Sequence, residues 1–266
     1  MIRILKAFLH KRYIHLHSRC IIISGSENSR PIIIGHRGAN AEAPENTLKS
    51  FQRAIELGAD YVEFDVQSTK DDELVIIHDE NTYRTSNHMG LIREMTLEEL
   101  KELDFGEGEK IPTLEELIEL AIGKVGFQCE IKVKGIGVEV AKIFQEYNIL
   151  DSTLISSFIH SELKAIQKYK PEFRLASLEP TGTGWVTDWV WKQKIIEEAI
   201  NNNFEAIHPL YRLVNKDFIN YAHQEGLKVN VWTVDSKIAM RKLIKIGIDG
   251  IVTNDIKLAK SIFKKY

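Results

Sequence analysis

The stretch Tyr61-Val62-Glu63-Phe64-Asp65-Val66 places acids at alternate positions among apolar residues. Side chains alternate across a strand, so Glu63 and Asp65 share one face while Val62, Phe64 and Val66 take the other. A second stretch, Cys129-Glu130-Ile131-Lys132, repeats the pattern, with Glu130 and Lys132 opposite Cys129 and Ile131. Like charges held close together away from water repel and are costly to desolvate, so a cation is expected among them. Three carboxylates converging from neighbouring strands are hard oxygen ligands, suited to Mg²⁺, Ca²⁺ or Mn²⁺ rather than zinc. The competing reading is a structural Glu–Lys ion pair, which predicts no metal dependence.

Two histidines extend this set. Gly35-His36-Arg37-Gly38 closes one apolar run, and His78-Asp79 follows another at 74–77. Histidine exchanges protons near neutral pH, and a guanidinium holds phosphate through paired hydrogen bonds. The flanking glycines permit close backbone approach. A His-Arg pair alone is equally compatible with a structural role. Two histidines, an arginine, a lysine and three carboxylates together suit phosphoryl chemistry, with one histidine as base and the other as acid across a metal-bound phosphodiester.

Positioning these groups requires an alternation of strands and helices. Strand character recurs at 32–35, 61–66, 127–132, 154–157, 174–178, 205–207, 228–231 and 250–253. Amphipathic segments lie between them at 48–57, 138–147, 163–169, 194–201, 217–225 and 238–246. Gly58, Gly226 and Gly247 follow three of these segments, where a left-handed cap is wanted. Repeated βα units imply a parallel sheet, and eight of them match a closed (β/α)8 TIM barrel. After the second strand the alternation lapses, and residues 80–111 read as a small insertion on one βα loop. Thr96 with Glu99 fits a capping box within it, and Thr113 with Glu116 fits another just beyond.

The composition is that of a globular protein: 266 residues, 44% apolar and 27% charged. Lys plus Arg number 35 against 38 Asp plus Glu, a formal charge of -3, which argues against a nucleic-acid partner. Cys20 and Cys129 are too few for a disulfide scaffold or zinc site, and Cys129 reads as core packing. No apolar stretch approaches the roughly 18 residues that span a bilayer, which points to a soluble, cytoplasmic protein. Residues 1–30 stand apart from the barrel at 31–266. Arg3, Lys6, Lys11, Arg12 and Arg19 precede the first acid, Glu27. This segment reads as a poorly ordered tail, or as a basic amphipathic helix able to lie on an anionic membrane surface.

The sequence resembles the glycerophosphodiester phosphodiesterase family, a metal-dependent (β/α)8 barrel. The resemblance rests on HRGANAEAPENT from His36, GADYVEFDVQSTKDDELVIIHD from Gly58, IPTLEEL from Ile111 and CEIK from Cys129. It continues in SSF from Ser156, VWTVD from Val231 and GIDGIVTND from Gly247. It implies His36 and His78 as the acid–base pair and Glu63, Asp65 and Glu130 as ligands of one divalent cation, Mg²⁺ or Ca²⁺. Arg37 and Lys132 would neutralise the phosphate, and Trp232 would pack on the substrate; read from the sequence alone, the alternative for Trp232 is a core tryptophan. Glu45 is expected to brace the first loop, Asn46 or Thr47 to cap the first helix, and Asp79 to orient His78.

Two departures from the family pattern fall in loops. Asp71-Asp72 stands where Asp-Gly is common, so strain is expected in that turn. Thr253-Asn254-Asp255-Ile256 stands where Thr-Asp is soon followed by Pro. The implied reaction is hydrolysis of a glycerophosphodiester to sn-glycerol 3-phosphate and an alcohol, by water or through a cyclic phosphate. Trp185, Trp189 and Trp191 are expected on the loop after the fifth barrel strand, either covering a choline head group or closing the rim. The alternatives are lysophospholipase D-like action on lysophospholipids at a membrane surface, and a non-catalytic binding barrel. Residue types leave the oligomeric state open.

Overall fold

The structure, a computed structural model, describes residues 30–180 and 188–264. Among the described residues nine strands form one sheet: β1 (Ile32–Gly35), β2 (Tyr61–Ser68), β3 (Leu74–Ile76), β4 (Gly126–Ile131), β5 (Thr153–Ser157), β6 (Arg174–Glu179), β7 (Ala206–Pro209), β8 (Lys228–Val231) and β9 (Gly250–Thr253). All but β3 run parallel, and β1 pairs with both β2 and β9, so eight strands close into a (β/α)8 barrel. β3 lies antiparallel to the far end of β2, from Val66↔Ile76 to Ser68↔Leu74.

The helices are α1 (Leu48–Leu57), α2 (Leu97–Glu102), α3 (Leu114–Ala121), α4 (Gly137–Glu146), α5 (His160–Tyr169), α6 (Trp189–Asn201), α7 (Lys216–Gln224), α8 (Lys237–Ile246) and α9 (Ile256–Phe263). Gly58, Gly226 and Gly247 have positive φ, and Gly58 and Gly247 are the caps of α1 and α8. Both capping boxes form, at α2 and α3. Asp72 takes φ 61, the left-handed conformation that glycine adopts without strain. No helix among the described residues is long and apolar enough to cross a membrane.

What turns the acids of β2 and β4 inward is the packing of their other faces. Phe51 of α1, Phe64 of β2, Phe127 of β4 and Phe144 of α4 form a continuous aromatic row with ring centroids 6.1, 6.3 and 6.4 Å apart. All four are fully buried. Each such contact contributes about 0.5–1.5 kcal/mol beyond burial. Since Phe64 and Phe127 must face the helices, Glu63, Asp65, Gln128 and Glu130 must face the barrel axis. Tyr61 and Gly126 are register partners, and the tyrosine ring occupies the space a side chain at 126 would need.

Between β3 and α3, residues 77–113 carry a 3-10 turn (Ile92–Glu94) and α2. They pack around a small core of their own, Val75, Ile77, Ile92, Leu100, Phe105 and Ile111. Trp189 and Trp191 belong to α6, which starts five residues earlier than the apolar spacing suggests. Asp188 caps it by accepting from the Val190 backbone N–H. These two tryptophans are therefore helical rather than on the loop, and Trp185 lies outside the described residues, as does the 1–30 segment apart from Arg30.

Candidate active site

Parallel pairing of β2 with β4 makes Asp65 and Glu130 register partners, and Glu63 precedes Asp65 by two residues on the same face. One oxygen from each of the three carboxylates lies within 4.8 Å of the others, and all three residues are buried. Lys132, just past β4, places Nζ 2.8 Å from Glu130 Oε1 and 3.5 Å from Asp65 Oδ1. Arg37 places Nε 3.3 Å from Asp65 Oδ2. Its backbone N–H donates to Glu63 Oε2 at 2.8 Å, from a left-handed turn with φ 53. The next residue, Gly38, has φ 87, and a Cβ there would sit 2.7 Å from the Ser50 carbonyl carbon, so the loop admits only glycine.

Burial, then Asp65 and Glu130, drives the Glu63 carboxyl well above the usual carboxylate range. Burial and Asp65 push Glu130 up to about 7, against the pull of Lys132. Burial alone would raise Asp65 too, but Lys132, Arg37, His78 and Asn46 together hold it low. Three carboxylates face two cations, a deficit of one positive charge. Asp65 Oδ1 and Asn46 Oδ1 are buried and accept no hydrogen bond. An all-oxygen donor set short of positive charge fits a hard divalent cation.

The sequence-predicted histidines are held in different ways. His36 sits just beyond β1, its Nδ1 2.7 Å from Asn254 Oδ1. Asn254 Nδ2 donates to Asp235 Oδ2 at 2.7 Å, which fixes the amide with its oxygen toward His36. His36 Nδ1 therefore carries the proton and Nε2 the lone pair. Burial, then Arg37, lowers the His36 pKa. His78 instead donates from Nδ1 to Asp79 Oδ1 at 2.6 Å. Asp79 is lowered to about 2, chiefly by Arg84. Trp232 stands just past β8, its indole N–H on the His208 carbonyl at 2.7 Å and its ring edge-on to Phe158 at 5.5 Å.

Three further residues join the site. Asn46 does not cap α1, since Thr47 does. At φ 56 the buried Asn46 turns its Nδ2 onto Asp65 Oδ2 at 2.9 Å. Asn254, seen in the sequence only as a departure from the family pattern, holds His36. Arg84 bridges Glu45 and Asp79. Glu45 does brace the first loop, accepting from Arg37 Nη1 at 2.7 Å.

Ionisable and polar groups gathered at the carboxyl ends of barrel strands are the arrangement of a (β/α)8 enzyme. The chain belongs to the glycerophosphoryl diester phosphodiesterase family, which it matches over residues 36–258, and is a phosphoric diester hydrolase. It is 38% identical over 250 residues to a glycerophosphodiester phosphodiesterase of Caldanaerobacter subterraneus, covering 89% of this chain and 99% of that relative. The glycerophosphodiester phosphodiesterase of Thermotoga maritima superposes with a TM-score of 0.76 at 28% identity, covering 88% of this chain and 99% of that one. An Oleispira antarctica phosphodiesterase, in complex with the product sn-glycerol-3-phosphate, has a TM-score of 0.76 at 27% identity and covers 88% and 97%.

Proposed function

We propose that this chain hydrolyses glycerophosphodiesters to sn-glycerol 3-phosphate and an alcohol, with a divalent cation, Mg²⁺ or Ca²⁺, and with His36 and His78 as base and acid. The observation that carries the reading is the position of Asp65. It belongs to the acidic trio, and Arg37 Nε and Lys132 Nζ lie 3.3 and 3.5 Å from its two oxygens, so the carboxylates and the cations meet at this one residue. Glu63, Asp65 and Glu130 would hold the cation, which when bound supplies positive charge and polarises a phosphoryl oxygen. Arg37 and Lys132 add the fixed positive charge that a phosphodiester monoanion needs.

His36, neutral and with its Nε2 lone pair free, takes the proton of the attacking hydroxyl, whether water's or the glycerol moiety's own. His78, its Nδ1 held by an anionic carboxylate, gives a proton from Nε2 to the departing alkoxide. Trp232, edge-on to Phe158, would form an apolar wall for the substrate. Our reading has the enzyme act in the cytoplasm, with the basic residues of 1–30 as a peripheral contact to an anionic membrane.

Glycerophosphocholine incubated with and without EDTA tests the reading. Release of glycerol 3-phosphate should stop on chelation and return with Mg²⁺ or Ca²⁺. Release that persists under chelation removes the cation from the reading, and no release at all moves the substrate to lysophospholipids. Replacing the alcohol by 4-nitrophenol, which leaves without protonation, should restore His78→Ala but not His36→Ala.

A further inference from the structure

We propose that Arg84 is a positioning residue that sets His78, through Asp79, against the loop carrying Arg37; the proposal rests on His78 acting as the acid. Arg84 lies in the segment between β3 and α2. Its guanidinium is shared by two carboxylates from different βα loops. Nη1 and Nη2 meet Glu45 Oε2 and Oε1, both at 2.7 Å. Nε meets Asp79 Oδ2 at 2.7 Å, and Nη2 reaches Asp79 Oδ1 at 3.2 Å.

Each carboxylate has a second task. Asp79 Oδ1 holds His78 Nδ1 at 2.6 Å, and Glu45 Oε1 holds Arg37 Nη1 at 2.7 Å. One planar fork thus fixes the distance and tilt between the loop after β1 and the loop after β3. Without it, Glu45 and Asp79 are two acids facing each other across that gap, and Asp79 is free to turn with the imidazole it carries.

The Arg84 backbone is itself anchored. Thr82 is fully buried, its hydroxyl donates to the His88 carbonyl and accepts from the Gly90 N–H at 3.1 Å, and its carbonyl accepts from Ser86 at 2.9 Å. The Arg84 side chain, by contrast, is 45% exposed. Half-exposed ion pairs contribute little to stability, so the arrangement serves geometry more than folding. Lysine cannot replace it, because a single ammonium lacks the fork that meets two carboxylates at once.

The test is steady-state kinetics of Arg84→Ala and Arg84→Lys on glycerophosphocholine and on the 4-nitrophenyl ester of glycerol phosphate. Melting temperature and Mg²⁺ affinity are measured alongside and should stay near wild type. On glycerophosphocholine, kcat should fall by about 10–100-fold, the effect of a misplacement of about an ångström, with a much smaller change in KM. On the nitrophenyl ester, which bypasses the acid, the loss should shrink several-fold. Arg84→Lys should recover little.

A kcat within twofold of wild type, full recovery by lysine, or equal losses on both substrates would overturn the proposal. Wild-type inactivity on both substrates, or a His78→Ala defect that the nitrophenyl ester does not relieve, would instead defeat the underlying reading of His78.

Discussion

His208 makes the acid stability of the barrel predictable. It sits on β7 with no exposed surface, accepts from Asn230 Nδ2 through Nε2 at 3.0 Å, and leaves Nδ1 without a partner. Burial lowers its pKa to about 3, against an ordinary 6.5. The folded chain therefore keeps this imidazole neutral down to about pH 3, whereas the unfolded chain protonates it from about pH 6.5 downward. Its contribution is complete above the unfolded value and is lost as pH falls through that window. At about 1.36 kcal/mol per pKa unit, the loss is about 3 kcal/mol by pH 4 and at most about 5 kcal/mol. That is a large part of an ordinary stability of about 5–15 kcal/mol.

The perturbation is His208→Gln, which removes the titration and keeps a polar side chain. Urea unfolding of both proteins in metal-free buffer, at about pH 7 and about pH 4, isolates the effect because every other titrating group is shared. The variant should be less stable at pH 7 by about 1–3 kcal/mol, and at pH 4 the difference should move by about 3 kcal/mol in the variant's favour, vanishing or reversing sign. A gap that stays constant would refute the burial of a neutral imidazole at position 208.

Three other outcomes follow from the same geometry. Asn46→Ala, which strips the donor from Asp65 Oδ2, should lower Mg²⁺ affinity or kcat by about 10–100-fold, read by calorimetric titration and by turnover. Phe64→Ala, at the middle of the aromatic row, should cost about 3–5 kcal/mol in urea unfolding, and a loss under 1 kcal/mol would show that the row does not hold β2 in register. Asp72→Gly should be neutral or stabilising by about 0.5–1 kcal/mol, because relief of the left-handed strain outweighs glycine's extra entropy; thermal melts decide it.

The barrel and its acidic trio were legible in the sequence for one physical reason. A carboxylate on the inward face of an otherwise apolar strand is too costly to be incidental, so Glu63, Asp65 and Glu130 marked themselves. Groups on loops carry no periodicity. Asn46 reads as a helix cap because it stands beside Thr47, and only its φ of 56 shows that it turns inward instead. Arg84 meets Glu45 across 39 residues of sequence, and nothing local announces the pair. The start of α6 lies ahead of its apolar spacing because Asp188, a polar cap, sets it among tryptophans that carry no helical period.

Asn254 is a different case, because topology alone could have found it. Eight parallel strands in sequential order close only if the last lies beside the first, and here Gly35 of β1 pairs with Thr253 of β9. The residue after each strand then faces its counterpart across the closure, which puts residue 254 against residue 36. A partner for His36 was therefore to be sought at the far end of the chain rather than near the His-Arg-Gly motif. An amide there, itself steered by Asp235, fixes the tautomer without adding a charge. A carboxylate at 254 would favour the imidazolium and so raise the pH at which His36 becomes free to accept a proton. Asn254→Asp should accordingly shift the acid limb of the kcat/KM profile to higher pH while leaving His78-dependent proton donation unchanged. An unshifted limb would mean that His36 is not the base.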